Sequence, residues 1–129
     1  MASIIKEFIL EASPERVWEA LRDFNAVHVR LAPGFLTDCR IEGSKRILTF
    51  FNGMIATEQL VGSDERARRL CYTVVGGRAA HHNASAQVFA EGDNRTRFVW
   101  ITDVLPDEAA VPIAAMMDQG IAAMRKALE

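Results

Sequence analysis

Turn signals at regular intervals cut the middle of this chain into short β-rich runs, and that punctuation constrains the fold more than any other feature. Residues 35–41, 46–51, 54–61, 69–75, 82–89 and 97–105 have the length and the branched or aromatic content of strands. Gly43-Ser44, Asn52-Gly53, Gly62-Ser63-Asp64, Gly76-Gly77 and Gly92-Asp93-Asn94 stand between consecutive runs. Asn-Gly is the strongest of these signals, because both residues tolerate the positive φ of a tight hairpin. Strands joined by successive hairpins form an antiparallel meander.

The two ends of the chain follow different rules. Residues 4–10 are short and rich in Ile and Phe, which favours one more strand. Ser13 can then cap a helix, Pro14 suits its first position, and Val17, Trp18 and Leu21 supply a buried face that ends near Asp23. Residues 24–31 can hold a further helical piece before Pro33-Gly34 returns the chain to extended structure. At the far end, Pro106-Asp107-Glu108 precedes a helix expected over about residues 108–128. Ile113, Met116, Met117, Gly120, Ile121, Met124 and Leu128 recur at i, i+3, i+4 and i+7, the spacing of one helical face. Pro112 should lie in its first turn or kink it. One strand, one or two short helices, six strands and a long helix make an α+β arrangement with that helix on one sheet face.

A chain of 129 residues is expected to form a single domain, 1–129. With 50% hydrophobic residues, 25% charged residues and a net charge of -2, nucleic acid is not an expected partner. Arg66, Arg68 and Arg69 sit beside Asp64 and Glu65 and read as a solvated turn. Cys39 and Cys71 lack metal or redox spacing. Lys6 and Glu7 interrupt the N-terminal apolar run, unlike a signal peptide, so a cytoplasmic location is expected. No transmembrane segment is expected, because no run approaches the roughly 20 apolar residues a membrane crossing needs.

Period-two alternation puts Leu70, Tyr72 and Val74 on one sheet face, with His82, Ala84, Ala86 and Val88, and with Phe98, Trp100 and Thr102. The His82 set is small where a core is usually bulky, and methionine in the facing helix fills irregular space adaptably. Either a cavity lies between sheet and helix, or Trp100 and Tyr72 pack over the small residues.

Several motifs in order carry a resemblance to a known family. They are Ala12-Ser13-Pro14-Glu15-Arg16-Val17-Trp18 with Asp23-Phe24, then Thr57-Glu58-Gln59-Leu60 followed by Asp64, Arg69-Leu70 and Tyr72. His82, Ala84 and Val88, then Thr96-Arg97 with Trp100, then Leu105-Pro106-Asp107-Glu108 complete the set. Over nearly its whole length the chain resembles the START-related helix-grip (SRPBCC) superfamily, and within it the polyketide cyclase/dehydrase-like proteins. The resemblance implies a seven-stranded antiparallel sheet wrapped around the C-terminal helix and enclosing an apolar cavity. Phe24, His28, Phe35, Glu58, Tyr72, His82, Phe98, Trp100, Met116, Met117, Gly120 and Met124 are the expected ligand-binding residues. No catalytic constellation is shared across the family, and fold does not fix reaction.

Reactive motifs are sparse. There is no Gly-x-Ser-x-Gly elbow and no Cys motif linked to a His. Adjacent His81 and His82 point to opposite faces of a strand, so with His28 they make no expected metal site. Gly76-Gly77 lacks the Lys-Ser/Thr of a phosphate loop, and no cofactor is expected. Glu58, Tyr72 and His82, with His28 or Asp103, are candidates for acid/base catalysis in a desolvated cavity. Glu58 can equally face solvent or pair with an arginine. The favoured function is binding of a hydrophobic small molecule: a lipid, an aromatic or a polyketide-like compound. A cyclase or dehydratase using the same cavity is the alternative, and a homodimer with a nearly filled cavity is a third option.

Overall fold

The computed structural model describes residues 2–129; Met1, where the expected domain begins, lies outside them. Seven strands form one antiparallel sheet: β1 (Ala2–Leu10), β2 (Leu36–Glu42), β3 (Lys45–Phe50), β4 (Ile55–Asp64), β5 (Arg69–Val75), β6 (His81–Ala90) and β7 (Thr96–Leu105). The order across the sheet is β1-β7-β6-β5-β4-β3-β2. The meander from β2 to β7 is thus closed at one edge by β1, which pairs with β7 from Ala2↔Val104 to Leu10↔Thr96. The chain passes from edge strand β1 to the opposite edge β2 through α1 (Pro14–Arg22), a 3-10 turn at Phe24–Ala26 and α2 (Val27–Arg30). A second 3-10 turn, Asp107–Ala109, leads into α3 (Ala110–Leu128).

Local chemistry explains these elements. The Ser13 hydroxyl accepts from the Arg16 amide at 3.2 Å, capping α1, and Pro14 occupies a position whose amide needs no partner. Val17, Trp18, Ala20 and Leu21 are buried. Full burial of a side chain such as Val17 stabilises by about 1.5–3 kcal/mol. Pro112 falls in the first turn of α3, where it removes no helical hydrogen bond. No helix among the described residues is long and apolar enough to cross a membrane.

The turn between β4 and β5 falls later than expected. Gly62-Ser63-Asp64 does not reverse the chain; the pairing register shifts between Leu60 and Gly62, and β4 continues to Asp64. This is a β-bulge, which places one extra residue in the strand and so delays the reversal. The reversal falls on residues 65–68. There the Asp64 carboxylate accepts from the amides of Arg66 and Ala67, both at 2.9 Å, and Arg68 takes a φ of 52°. The turn is fastened to α1, since the Trp18 indole Nε1 donates to Glu65 Oε2 at 2.7 Å and Arg22 pairs with the same carboxylate.

α3 is tied to the edge strand by polar contacts. Arg125 donates to the Ile9 carbonyl at 2.7 Å, Lys6 pairs with Asp118 at 2.9 Å, and the Glu11 amide donates to Glu129 at 2.9 Å. Toward its C-terminal end, Met124 and Leu128 join the core with Phe8, Leu10, Val17 and Phe98. Toward its N-terminal end, α3 stands off the sheet and leaves space.

Candidate functional site

That space is a cavity of about 1030 Å³ between α3 and the inward face of β3 to β7. It matches the upper end of ordinary ligand pockets, about 300–1,000 Å³. Leu48, Leu70, Ala86 and Phe98 form much of the wall on the sheet, and Met116, Met117 and Met124 face them from the helix. Phe35 and Phe50 meet edge to face, with ring centres 5.3 Å apart, and both line the space. The exposed lining residues Met54, Ile55, Gly76, Arg78 and Glu108 belong to the β3–β4 turn and the first residue of β4, the β5–β6 turn and the start of the C-terminal helical region. The cavity therefore opens between these segments.

Small residues account for part of the room. Ala86 occupies an inward position on β6, whereas Gly120 on α3 lets the helix backbone approach the rings of Trp100 and Phe35. Trp100 and Tyr72 do not close the space; they stand in its wall.

Two polar clusters interrupt the apolar lining. Arg46 on β3 and Glu58 on β4 are direct cross-strand partners, only 5% and 7% exposed. Arg46 Nε and Nη2 lie 2.8 and 2.7 Å from Glu58 Oε1, and Nη1 donates to the Phe24 carbonyl at 3.1 Å. The guanidinium carbon lies 3.8 Å from the centre of the Phe24 ring and 5.3 Å from that of Tyr72. Such a pair survives burial because its charges match and its donors are used. In the second cluster the Trp100 indole Nε1 donates to the Tyr72 hydroxyl at 3.2 Å. Desolvation, reinforced by the Glu58 charge, pushes the Tyr72 phenol well above its usual range. Burial, with the neighbouring His81 second, holds His82 below the ordinary histidine value, which favours a neutral imidazole.

Of the residues expected to meet a ligand, Phe35, Glu58, Tyr72, His82, Phe98, Trp100, Met116, Met117, Gly120 and Met124 line this one cavity. Phe24 and His28 do not. Phe24 lies behind the wall as the platform for Arg46. His28, on α2, is partly buried, and its Nδ1 has no hydrogen-bond partner among the described residues. Asp103 is also outside the cavity, because alternation along β7 turns it away from its buried neighbours Thr102 and Val104. It accepts from Ser3 at 2.6 Å and Asn83 at 3.0 Å on the outer face, which holds its carboxyl below the usual range. Arg46 is the buried charged residue of this wall that sequence reasoning did not identify. Its signal was an inward-facing arginine opposite Glu58, visible only once the register of the β3–β4 hairpin is known. No group of three or more His, Cys, Asp or Glu side chains among the described residues is placed to hold a metal ion.

A sheet gripping a C-terminal helix around an apolar cavity defines the helix-grip class. The sequence matches, over residues 1–129, the family model described as polyketide cyclase/dehydrase and lipid transport, and the chain belongs to that family. Among solved structures, it is similar to an uncharacterized protein from Bacillus thuringiensis (18% identity, 98% of each chain covered, TM-score 0.87). It is also similar to the protein XoxI from Bacillus cereus (20% identity, 99% of this chain and 96% of that one, TM-score 0.87). A START superfamily protein from Mycobacterium smegmatis shares the fold as well (16% identity, 98% and 96% covered, TM-score 0.77). No curated protein matches the sequence.

Proposed function

We propose that the chain, 1–129, acts as one ligand-binding unit that holds a hydrophobic small molecule, a lipid, aromatic or polyketide-like compound, between its sheet and α3. The observation that carries this reading is the 1030 Å³ space itself, walled mainly by apolar side chains and open at one end. Burial of apolar ligand surface there would supply about 25 cal/mol per Å². Membership of a family whose description couples cyclase chemistry with lipid transport supports the same class of ligand. The test is native mass spectrometry of freshly purified protein together with titration of an apolar fluorescent probe. A retained organic ligand or saturable one-to-one uptake is expected. Absence of both would overturn the reading.

A second reading, acid/base catalysis, is favoured by one observation: Glu58, Tyr72 and His82 share the cavity wall. Against it stands the engagement of Glu58 with Arg46, which occupies one carboxylate oxygen with two donors. Turnover of a polyketide-like substrate, reduced roughly a hundredfold or more in His82→Asn, would establish catalysis.

A further inference from the structure

We propose that Tyr72 selects the ligand by donating a hydrogen bond to an uncharged oxygen on it, so that the preferred occupant is an apolar molecule carrying a ketone or similar neutral carbonyl. This rests on the reading that the cavity holds an apolar ligand, and specifies what that ligand carries.

An indole nitrogen carries one hydrogen and no acceptor lone pair. In the 3.2 Å contact between Trp100 Nε1 and Tyr72 Oη, the phenol oxygen is therefore the acceptor. That fixes the role of the phenol's own hydrogen, which must go elsewhere. No acceptor for it exists among the described residues, although Tyr72 is only 8% exposed and lines the cavity. A buried hydroxyl with an unused hydrogen is a standing cost that a bound acceptor removes. Accepting from Trp100 also polarises the O–H bond and makes it a better donor.

The surroundings decide which acceptor fits. The nearby cation, Arg46, already faces Glu58 at 2.7 Å and the Phe24 carbonyl at 3.1 Å, so the pair presents no net charge to the interior. At the Tyr72 hydroxyl, burial is the main effect against a negative charge, and the Glu58 carboxylate opposes one more than Arg46 favours it. A ligand carboxylate at the Tyr72 hydroxyl would meet that same repulsion and lose its hydration. A ketone oxygen accepts the hydrogen bond without either penalty.

The experiment compares three fluorescent probes on the full chain: 6-propionyl-2-(dimethylamino)naphthalene, its 6-propyl analogue without the carbonyl, and 6-(dimethylamino)-2-naphthoate. In the parent protein the ketone should bind about fivefold tighter than the propyl analogue, the worth of one net hydrogen bond, and tighter than the carboxylate. Tyr72→Phe keeps the ring and should erase the ketone's advantage while leaving the propyl analogue within about twofold. Equal effects of Tyr72→Phe on ketone and propyl analogue, or carboxylate binding as tight as ketone binding, would overturn the proposal. If the propyl analogue binds and the ketone gains nothing, the role of Tyr72 falls while cavity binding stands. If neither binds, both fall. The carbonyl stretch of the bound ketone decides the matter in the parent protein alone, should the variant not fold. A band at lower frequency than in a hydrocarbon solvent supports donation, and an unshifted band refutes it.

Discussion

Gly120 on α3 lies directly against the indole of Trp100 on β7. A Cβ placed on this glycine would stand 3.3 Å from Cζ3 and Cη2 of that ring and 3.3 Å from Cε2 of Phe35. The two rings would have to give by a few tenths of an ångström to admit the first carbon of any side chain. A glycine inside a helix is less favourable than alanine by about 1 kcal/mol, and here it permits the helix and the cavity wall to meet. Gly120→Leu should push Trp100 and Phe35 from their positions, destabilise the fold by about 1–3 kcal/mol and reduce probe uptake together. Urea unfolding and probe titration on the same preparation check this. A variant with full stability and full uptake would show that the rings yield freely.

Arg46 and Glu58 make a different kind of lesion possible. Each is buried, so removing one charge strands the other away from water. Glu58→Gln is expected to lose about 3–5 kcal/mol of unfolding free energy, while a double change to Arg46→Met and Glu58→Leu should recover most of it. Denaturant midpoints of the parent, single and double variants measure the coupling. A single variant as stable as the parent would mean that the pair is hydrated from the cavity.

The same pair shows where sequence reading reaches and stops. The strands, the capped first helix and the methionine face of α3 are local patterns, and local patterns leave local marks: Ser13-Pro14, Asn52-Gly53, and apolar residues at helical spacing. Cross-strand partners depend on loop length to the residue. The Phe50 amide donates to the Met54 carbonyl at 2.8 Å, so the hairpin loop is Phe51-Asn52-Gly53, one residue longer than a two-residue Asn-Gly turn. That extra residue sets Arg46 opposite Glu58; the shorter loop would set Gln59 there and turn Glu58 away. The bulge after Leu60 similarly carried β4 past its apparent Gly62 stop. Asp103 could have been excluded by alternation alone, since it is one residue from Thr102.

Glu65 connects the β4–β5 turn to α1, and its carboxyl is held below its usual value chiefly by the Trp18 indole hydrogen bond and then by Arg22. A depressed carboxyl contributes stability that is present above the unfolded value, 4.5, and is lost as pH falls through the lower folded value. Glu65→Gln should therefore lower the thermal midpoint at pH 7, and the gap to the parent should narrow as pH drops below about 4.5. Thermal melts of both proteins across that range test it. A gap independent of pH would assign the effect to packing.

His82, in the cavity wall, has a pH signature of its own. Burial disfavours its charged form, and His81 adds a smaller effect of the same sign, so the folded protein holds the imidazole neutral below the ordinary value of 6.5. The unfolded chain takes up that proton first as pH falls. The stability linked to His82 is consequently complete above pH 6.5 and declines as pH drops from there toward the lower folded value. Titrating the imidazole Cε1 proton by NMR should give an inflection below 6.5 for His82, moving lower still when an apolar probe fills the cavity and removes more water. His82→Gln should flatten the stability slope in the same interval. An inflection at or above 6.5, or one unmoved by a bound probe, would place the imidazole in contact with solvent instead of the cavity interior.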